Sequence, residues 1–239
     1  MDALFLDIDG TLLEHQAHPE AVEAGDDLRE LLREAWHRLD GALALITGRT
    51  VAMADHLFLP LELPIAGVYG LEMRMRPGVP VERAAEPTLL TNVAEGLSGR
   101  FAMVDGVYLE RKGPVLAIHL RVDRDKMDEV VAAARAELGG SADYRIEVGN
   151  AGFEIMPVGT AKANAIRRFM EIAPFAGRRP IFIGDDTADE SGFDYVNRVG
   201  GRSIRVKPDG PTAARETLPD VAAVRDWIEG LVDWMEAKR

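Results

Sequence analysis

Short apolar runs alternate with longer amphipathic stretches at the start of the chain. Ala3 to Leu6 is apolar at every position and closes on Asp7-Ile8-Asp9-Gly10-Thr11, the pattern of a strand buried on both faces that ends in a turn. Pro19 to Leu39 places Val22, Leu28, Leu31, Leu32, Ala35, Trp36 and Leu39 at helical spacing, with the proline where a first helical turn tolerates it. Ala42 to Ile46 predicts a second buried strand, Val51 to Phe58 a short helix and Pro64 to Tyr69 a third strand. This β-α-β-α-β order is that of a parallel α/β sheet.

The pattern then changes. A helix is expected over Leu89 to Phe101, strands over Val107 to Lys112 and Val115 to Arg121 across the Lys112-Gly113-Pro114 break, and a helix over Arg124 to Leu138. Strands near Tyr144 to Val148 and Phe153 to Pro157 flank a Gly149-Asn150 turn signal. After Gly159 the α/β pattern resumes. It predicts a helix over Lys162 to Ile172, strands over Pro180 to Ile183 and Ser203 to Val206, and a closing helix over Val221 to Met235 with Val224, Ile228, Leu231 and Met235 inward. The expected architecture is α/β: a Rossmann-like parallel-sheet core, residues 1–74 plus 159–239, interrupted by an inserted α+β cap, residues 75–158. Such insertions occupy loops at the ligand end of the sheet.

Composition narrows the chemistry. The 239 residues are 47% hydrophobic and 28% charged, enough to bury a core of this size. With 28 Lys plus Arg against 40 Asp plus Glu, the net charge is −12. That balance disfavours nucleic acid and anionic membrane as partners. There is no cysteine, which excludes disulfides, thiol nucleophiles and cysteine-ligated metals. No stretch reaches the ~18 apolar residues of a membrane span, and Met1-Asp2 lacks the basic start of a secretory signal. A cytoplasmic, monomeric protein acting on a small molecule is expected.

Four segments carry candidate chemistry, each at a strand end or helix start. In Asp7-Ile8-Asp9-Gly10-Thr11, two carboxylates just past a strand can approach one site if Gly10 permits a turn. One can attack phosphorus while the other moves the leaving-group proton; the plainer reading is an acidic turn that caps a helix. In Ile46-Thr47-Gly48-Arg49, a hydroxyl and exposed backbone N–H groups suit phosphoryl oxygens; alone, such a Thr-Gly is usually an N-cap. Lys162, at a helix start, can hold a phosphate as a point charge, although a lone lysine is ordinarily solvated. Gly184-Asp185-Asp186-Thr187-Ala188-Asp189-Glu190 crowds acids at a strand end, which suits a hard cation such as Mg²⁺. A helix N-terminus accounts for one or two of those acids, less readily for all.

Asp-x-Asp-Gly-Thr, then Thr, Lys and Gly-Asp-Asp in this order resembles the haloacid dehalogenase superfamily of phosphohydrolases. The resemblance implies Asp7 as nucleophile, Asp9 as general acid and base, and Thr47 and Lys162 on the transferring phosphoryl group, with Gly48 and Arg49 beside it. It implies Mg²⁺ held by Asp7, the Asp9 backbone carbonyl and Asp185, with Asp186 and Asp189 behind or orienting Lys162. Within that superfamily the chain resembles the trehalose-6-phosphate phosphatases. The matching elements are Gly67-Val68-Tyr69-Gly70-Leu71-Glu72-Met73-Arg74, Glu110-Arg111-Lys112-Gly113 with His119-Leu120-Arg121, and Glu154-Ile155-Met156-Pro157. The family pattern has His where Tyr69 stands and Thr where Ala188 stands. The resemblance implies hydrolysis of trehalose 6-phosphate through an aspartyl phosphate, with Glu110, Lys112 and Glu154 gripping the sugar. Alternatives are another sugar phosphate (sucrose phosphate, mannosyl-3-phosphoglycerate or a monosaccharide phosphate), a phosphosugar mutase, or a non-catalytic sugar-phosphate sensor.

Overall fold

Four consecutive apolar side chains, Ala3 to Leu6, are fully buried in strand β1 (Asp2–Leu6), which requires a strand covered on both faces. The computed structural model, which describes residues 1–15, 24–149 and 152–237, places β1 inside an eight-stranded sheet. β1 pairs in parallel with β2 (Leu43–Ile46) on one side and β10 (Arg179–Gly184) on the other. Outward from β2 lie β3 (Ile65–Gly67), then β4 (Glu72–Arg74) and β5 (Glu82–Arg83). Outward from β10 lie β11 (Arg202–Val206) and β12 (Glu216–Leu218). The pairings are parallel from β12 to β3, and β4 runs antiparallel to β3. The chain winds one way from β1 to β3 and the other way from β10 to β12, so the sheet reverses its winding at β1. The C-terminal ends of strands at such a reversal form a natural ligand crevice.

This sheet belongs to the larger of two units, Met1–Glu82 with Ala161–Arg239. Its helices are α1 (Asp26–Arg38), α2 (Val51–Phe58), α5 (Lys162–Met170), α6 (Glu190–Arg198) and α7 (Val221–Glu236). Phe5, Phe169 and Phe175 pack together in its core, with ring centroids 5.0–6.0 Å apart. Three sequence expectations need correction. Helix α1 starts at Asp26, capped by extended Gly25; Pro19 and Val22 of the longer expected helix lie outside the described residues. The third strand stops at Gly67, where Val68 and Tyr69 turn into the left-handed region. Helix α7 buries Val221, Val224, Ile228 and Val232, while Leu231 and Met235 are only partly covered. The hydrophobic pattern does not indicate helix α6 or the short strands β4, β5 and β12.

The smaller unit, Arg83–Thr160, holds α3 (Thr88–Phe101), β6 (Val107–Lys112), β7 (Val115–Leu120), α4 (Arg124–Glu137), β8 (Tyr144–Gly149) and β9 (Gly152–Pro157). Its antiparallel sheet runs β6-β7-β9-β8. Leu116, Ile118, Leu120, Phe153 and Ile155 pack on Leu90, Val93, Leu97 and Phe101 of α3 and Val130 and Ala133 of α4. Asn150 of the expected hairpin turn lies outside the described residues. Among them, no helix is long and apolar enough to cross a membrane.

Candidate active site

The larger unit brings the four motif segments to one end of its sheet. Asp7 follows β1, Thr47 follows β2, Asp185 follows β10, and Lys162 opens α5. The chain leaves β1 in a tight turn: Leu12 and Leu13 N–H both donate to the Ile8 carbonyl, at 2.9 and 3.0 Å. Gly10 sits at φ +79°, a conformation that only glycine adopts freely. A Cβ there would stand 2.0 Å from Asp185 Oδ2, so the glycine also leaves room for the acidic loop.

Lys162 Nζ donates to Asp7 Oδ1 and to Asp189 Oδ1, both at 2.6 Å, and all three side chains are buried. Asp189 Oδ2 in turn accepts the backbone N–H groups of Asp185 (3.0 Å) and Asp186 (3.1 Å). One side chain thus orients the lysine and fixes the loop after β10. Burial raises the Asp7 pKa well above the usual carboxylate range; Lys162 opposes the shift, and Asp189, Asp185 and Asp186 add to it. Burial likewise pushes Asp189 up to about 6 against the pull of Lys162. Burial alone would depress Lys162, but Asp189 and Asp7 outweigh it and hold its pKa well above the ordinary value. The lysine stays charged.

One cation therefore faces a cluster of carboxylates. Single oxygens of Asp7, Asp185 and Asp189 all lie within 4.8 Å of one another. Hard oxygen donors with surplus negative charge in a buried setting fit a divalent cation, and Asp189 is already committed to Lys162 and two backbone donors. Asp7 and Asp185 are the carboxylates with oxygens to offer.

Thr47 Oγ1 is buried and accepts the Arg49 backbone N–H at 3.1 Å. The Arg49 guanidinium, expected beside the substrate, forks onto Asp9: Nε to Oδ2 at 2.7 Å and NH2 to Oδ1 at 2.6 Å. Glu72 caps α2 by accepting the Val51 N–H at 2.7 Å, and Arg74 makes two 2.7 Å bonds to Asp55. These buried residues anchor the helix that follows the Thr47-Gly48-Arg49 turn. In the smaller unit, Lys112 Nζ donates to Glu154 Oε1 at 3.0 Å and lies 3.8 Å from Glu110 Oε2, which is 2.7 Å from His119 Nε2. Glu110 and Glu154 both flank Ala117 in register, so the three expected sugar contacts share one face of that sheet.

A family model described as Trehalose-phosphatase matches residues 5–220. The chain belongs to the trehalose-phosphatase family. Trehalose-6-phosphate phosphatase of Escherichia coli (strain K12) is 37% identical over 237 residues, covering 99% of this chain and 89% of that protein. The C-terminal domain of C. albicans trehalose-6-phosphate phosphatase shares the fold at a TM-score of 0.82 and 20% identity, over 97% of this chain and 92% of that one. A haloacid dehalogenase-like hydrolase from Bacteroides thetaiotaomicron shares it at 0.72 and 17% identity, over 96% and 99%.

Both departures from the trehalose-phosphatase pattern have a structural reading. Ala188 contributes its backbone N–H, which donates to Asp186 Oδ1 at 2.7 Å, so that bond needs no hydroxyl at position 188. Tyr69, at φ 57° and ψ 26°, lays its phenol over Gly48: a Cβ on Gly48 would stand 2.6 Å from the Tyr69 hydroxyl. Sequence reasoning missed His15, whose Nε2 lies 2.9 Å from Asp185 Oδ2. A single histidine in a polar loop carries no periodic or motif signal.

Proposed function

We propose that this trehalose-phosphatase family member hydrolyses trehalose 6-phosphate to trehalose and phosphate, with Asp7 as nucleophile. The protein is a phosphoric monoester hydrolase. The observation that supports the assigned site best is the Lys162 ammonium, held between Asp7 and Asp189 at 2.6 Å from each. It fixes one oxygen of Asp7 and leaves the other to attack.

In this reading an Asp7 oxygen bonds to phosphorus as the phosphorus–sugar oxygen bond breaks, and the Asp9 carboxyl gives its proton to the departing sugar oxygen. Asp9 then takes a proton from the water that attacks the aspartyl phosphate, releasing phosphate and restoring Asp7. Thr47 Oγ1, the N–H groups around Gly48, and Lys162 stabilise the phosphoryl oxygens. Arg49 holds Asp9 in position for both transfers. Asp7, the Asp9 backbone carbonyl and Asp185 would hold Mg²⁺, which neutralises charge on the transferring group. Glu110, Lys112 and Glu154 of the smaller unit serve the sugar hydroxyls. We place the reaction in the cytoplasm.

The test is phosphate release from trehalose 6-phosphate with Mg²⁺ and with EDTA, beside the Asp7→Asn variant and a panel of sucrose, mannose and glucose phosphates. Mg²⁺-dependent release that Asp7→Asn lacks, fastest with trehalose 6-phosphate, is expected. Equal rates across the panel would remove the sugar assignment; release by Asp7→Asn would remove the nucleophile.

A further inference from the structure

We propose that His15 is a positioning residue of the metal site, orienting Asp185 as a ligand through a hydrogen bond from Nε2 to Oδ2. The inference rests on the reading that Asp7 and Asp185 hold a divalent cation.

The backbone of Asp185 is restrained at both ends: its N–H donates to Asp189 Oδ2 at 3.0 Å and its carbonyl accepts Arg205 Nε at 3.2 Å. Neither bond sets the torsions of its side chain. Among the described residues, His15 is the side chain that bonds this carboxylate, at 2.9 Å. Gly10 makes the meeting possible, since a Cβ there would lie 2.0 Å from Asp185 Oδ2 and 2.6 Å from His15 Nε2.

The segment that delivers His15 is itself tied down. Gly10 N–H donates to the Leu13 carbonyl at 2.7 Å, Arg225 NH2 donates to the Leu12 carbonyl at 3.3 Å, and Lys207 Nζ donates to Glu14 Oε2 at 2.6 Å. A carboxylate oxygen has two lone pairs, so Oδ2 can accept from His15 while Asp185 binds the ion. A donor to a ligating carboxylate fixes the rotamer that binding would otherwise have to select. Loss of such partners typically weakens metal affinity about 10–100-fold. The His15 side chain is 66% exposed, so replacing it leaves no core cavity.

The experiment measures Mn²⁺ binding to substrate-free protein by the electron paramagnetic resonance signal of free Mn²⁺. It compares wild type, His15→Ala and His15→Gln, the last keeping an N–H donor at similar reach. His15→Ala should bind with unchanged stoichiometry and a Kd raised about 10-fold, and His15→Gln should recover most of that loss. A His15→Ala Kd equal to or below that of wild type, or no recovery in His15→Gln, overturns the inference. Absence of Mn²⁺ binding in wild type itself would instead remove the metal reading on which the inference stands.

Discussion

Arg49 grips Asp9 through two near-parallel hydrogen bonds, Nε to Oδ2 at 2.7 Å and NH2 to Oδ1 at 2.6 Å. The Asp9 side chain is 29% exposed and Arg49 only 9%, so the guanidinium comes from the buried side and leaves part of the carboxyl facing out. A planar fork orients a carboxylate in a way that an ammonium does not. If Asp9 transfers the proton, Arg49→Ala should lower kcat about 10- to 100-fold with little change in KM, less than the ~10²–10⁴ of losing an acid–base group outright. Arg49→Lys should recover only part of that rate. Steady-state kinetics decide: a raised KM at unchanged kcat would make Arg49 a substrate contact instead.

The Arg49–Asp9 pair also marks what the sequence conceals. Both residues sit in recognisable motifs, but nothing in a linear pattern says that a side chain from the second motif is spent on the first. The parallel strands were legible because Ala3 to Leu6, Leu43 to Ile46 and Pro180 to Ile183 are continuous apolar runs. Strands β4, β5 and β12 were not, being two or three residues long and carrying charges such as Glu72, Glu82 and Glu216. Helix α6 escaped because its buried face is only Gly192, Phe193 and Val196, too few positions to establish a period. In α7 the inward stripe advances by four, from Val224 to Ile228 to Val232. The apolar Leu231 and Met235 lie one position short of a stripe continued by fours, which is how they entered the expected core. In the sequence Glu72 and Arg74 stand out only as parts of a motif, and their work, capping α2 and pinning Asp55, is tertiary.

The acidic cluster makes stability and metal response depend on pH. Asp189 has its pKa raised from 3.8 to about 6 by burial, and Asp7 is raised as well. The folded protein therefore holds these protons more tightly than the unfolded chain does. The stabilisation from Asp189 is complete below about pH 4 and is lost as pH rises through about 6. A divalent cation held by the ionised cluster would offset that loss. Calorimetry should show little rise in unfolding temperature on adding Mg²⁺ at about pH 5 and a rise of several degrees at about pH 7.5. An equal rise at both pH values would mean that the cluster does not titrate with the ion.

Tyr69 and Gly48 are matched in shape. Gly48→Ala would drive a methyl group into the Tyr69 ring, with 2.6 Å to the hydroxyl and 2.7 Å to the adjacent ring carbon, well inside van der Waals contact. Since Tyr69 N–H is bonded to the Thr47 carbonyl at 3.0 Å, a displaced Tyr69 would disturb the Thr47-Gly48-Arg49 turn. Gly48→Ala should therefore lose most activity, and Gly48→Ala combined with Tyr69→Ala should regain a measurable part. The two changes are coupled through one contact, so they should be non-additive. Additive losses in phosphate release would show that the ring does not set the room at Gly48.

Lys112 and Glu154 test whether the smaller unit reads the sugar. They form a 3.0 Å ion pair on the face that also carries Glu110 and His119, and Lys112 lies within 4 Å of both glutamates. The two side chains are only 11% and 18% exposed, so removing one partner leaves the other charge underpaired and should lower the unfolding temperature modestly. Recognition is another matter. Each sugar hydroxyl left without its partner should cost about 1–3 kcal/mol in the bound state. Lys112→Ala and Glu154→Ala should lower kcat/KM for trehalose 6-phosphate about 10- to 100-fold. The rate measured with p-nitrophenyl phosphate should not change in these variants, because that ester has no sugar to grip. An equal loss on both substrates would place these residues in support of the phosphoryl chemistry and strip the smaller unit of its assigned role.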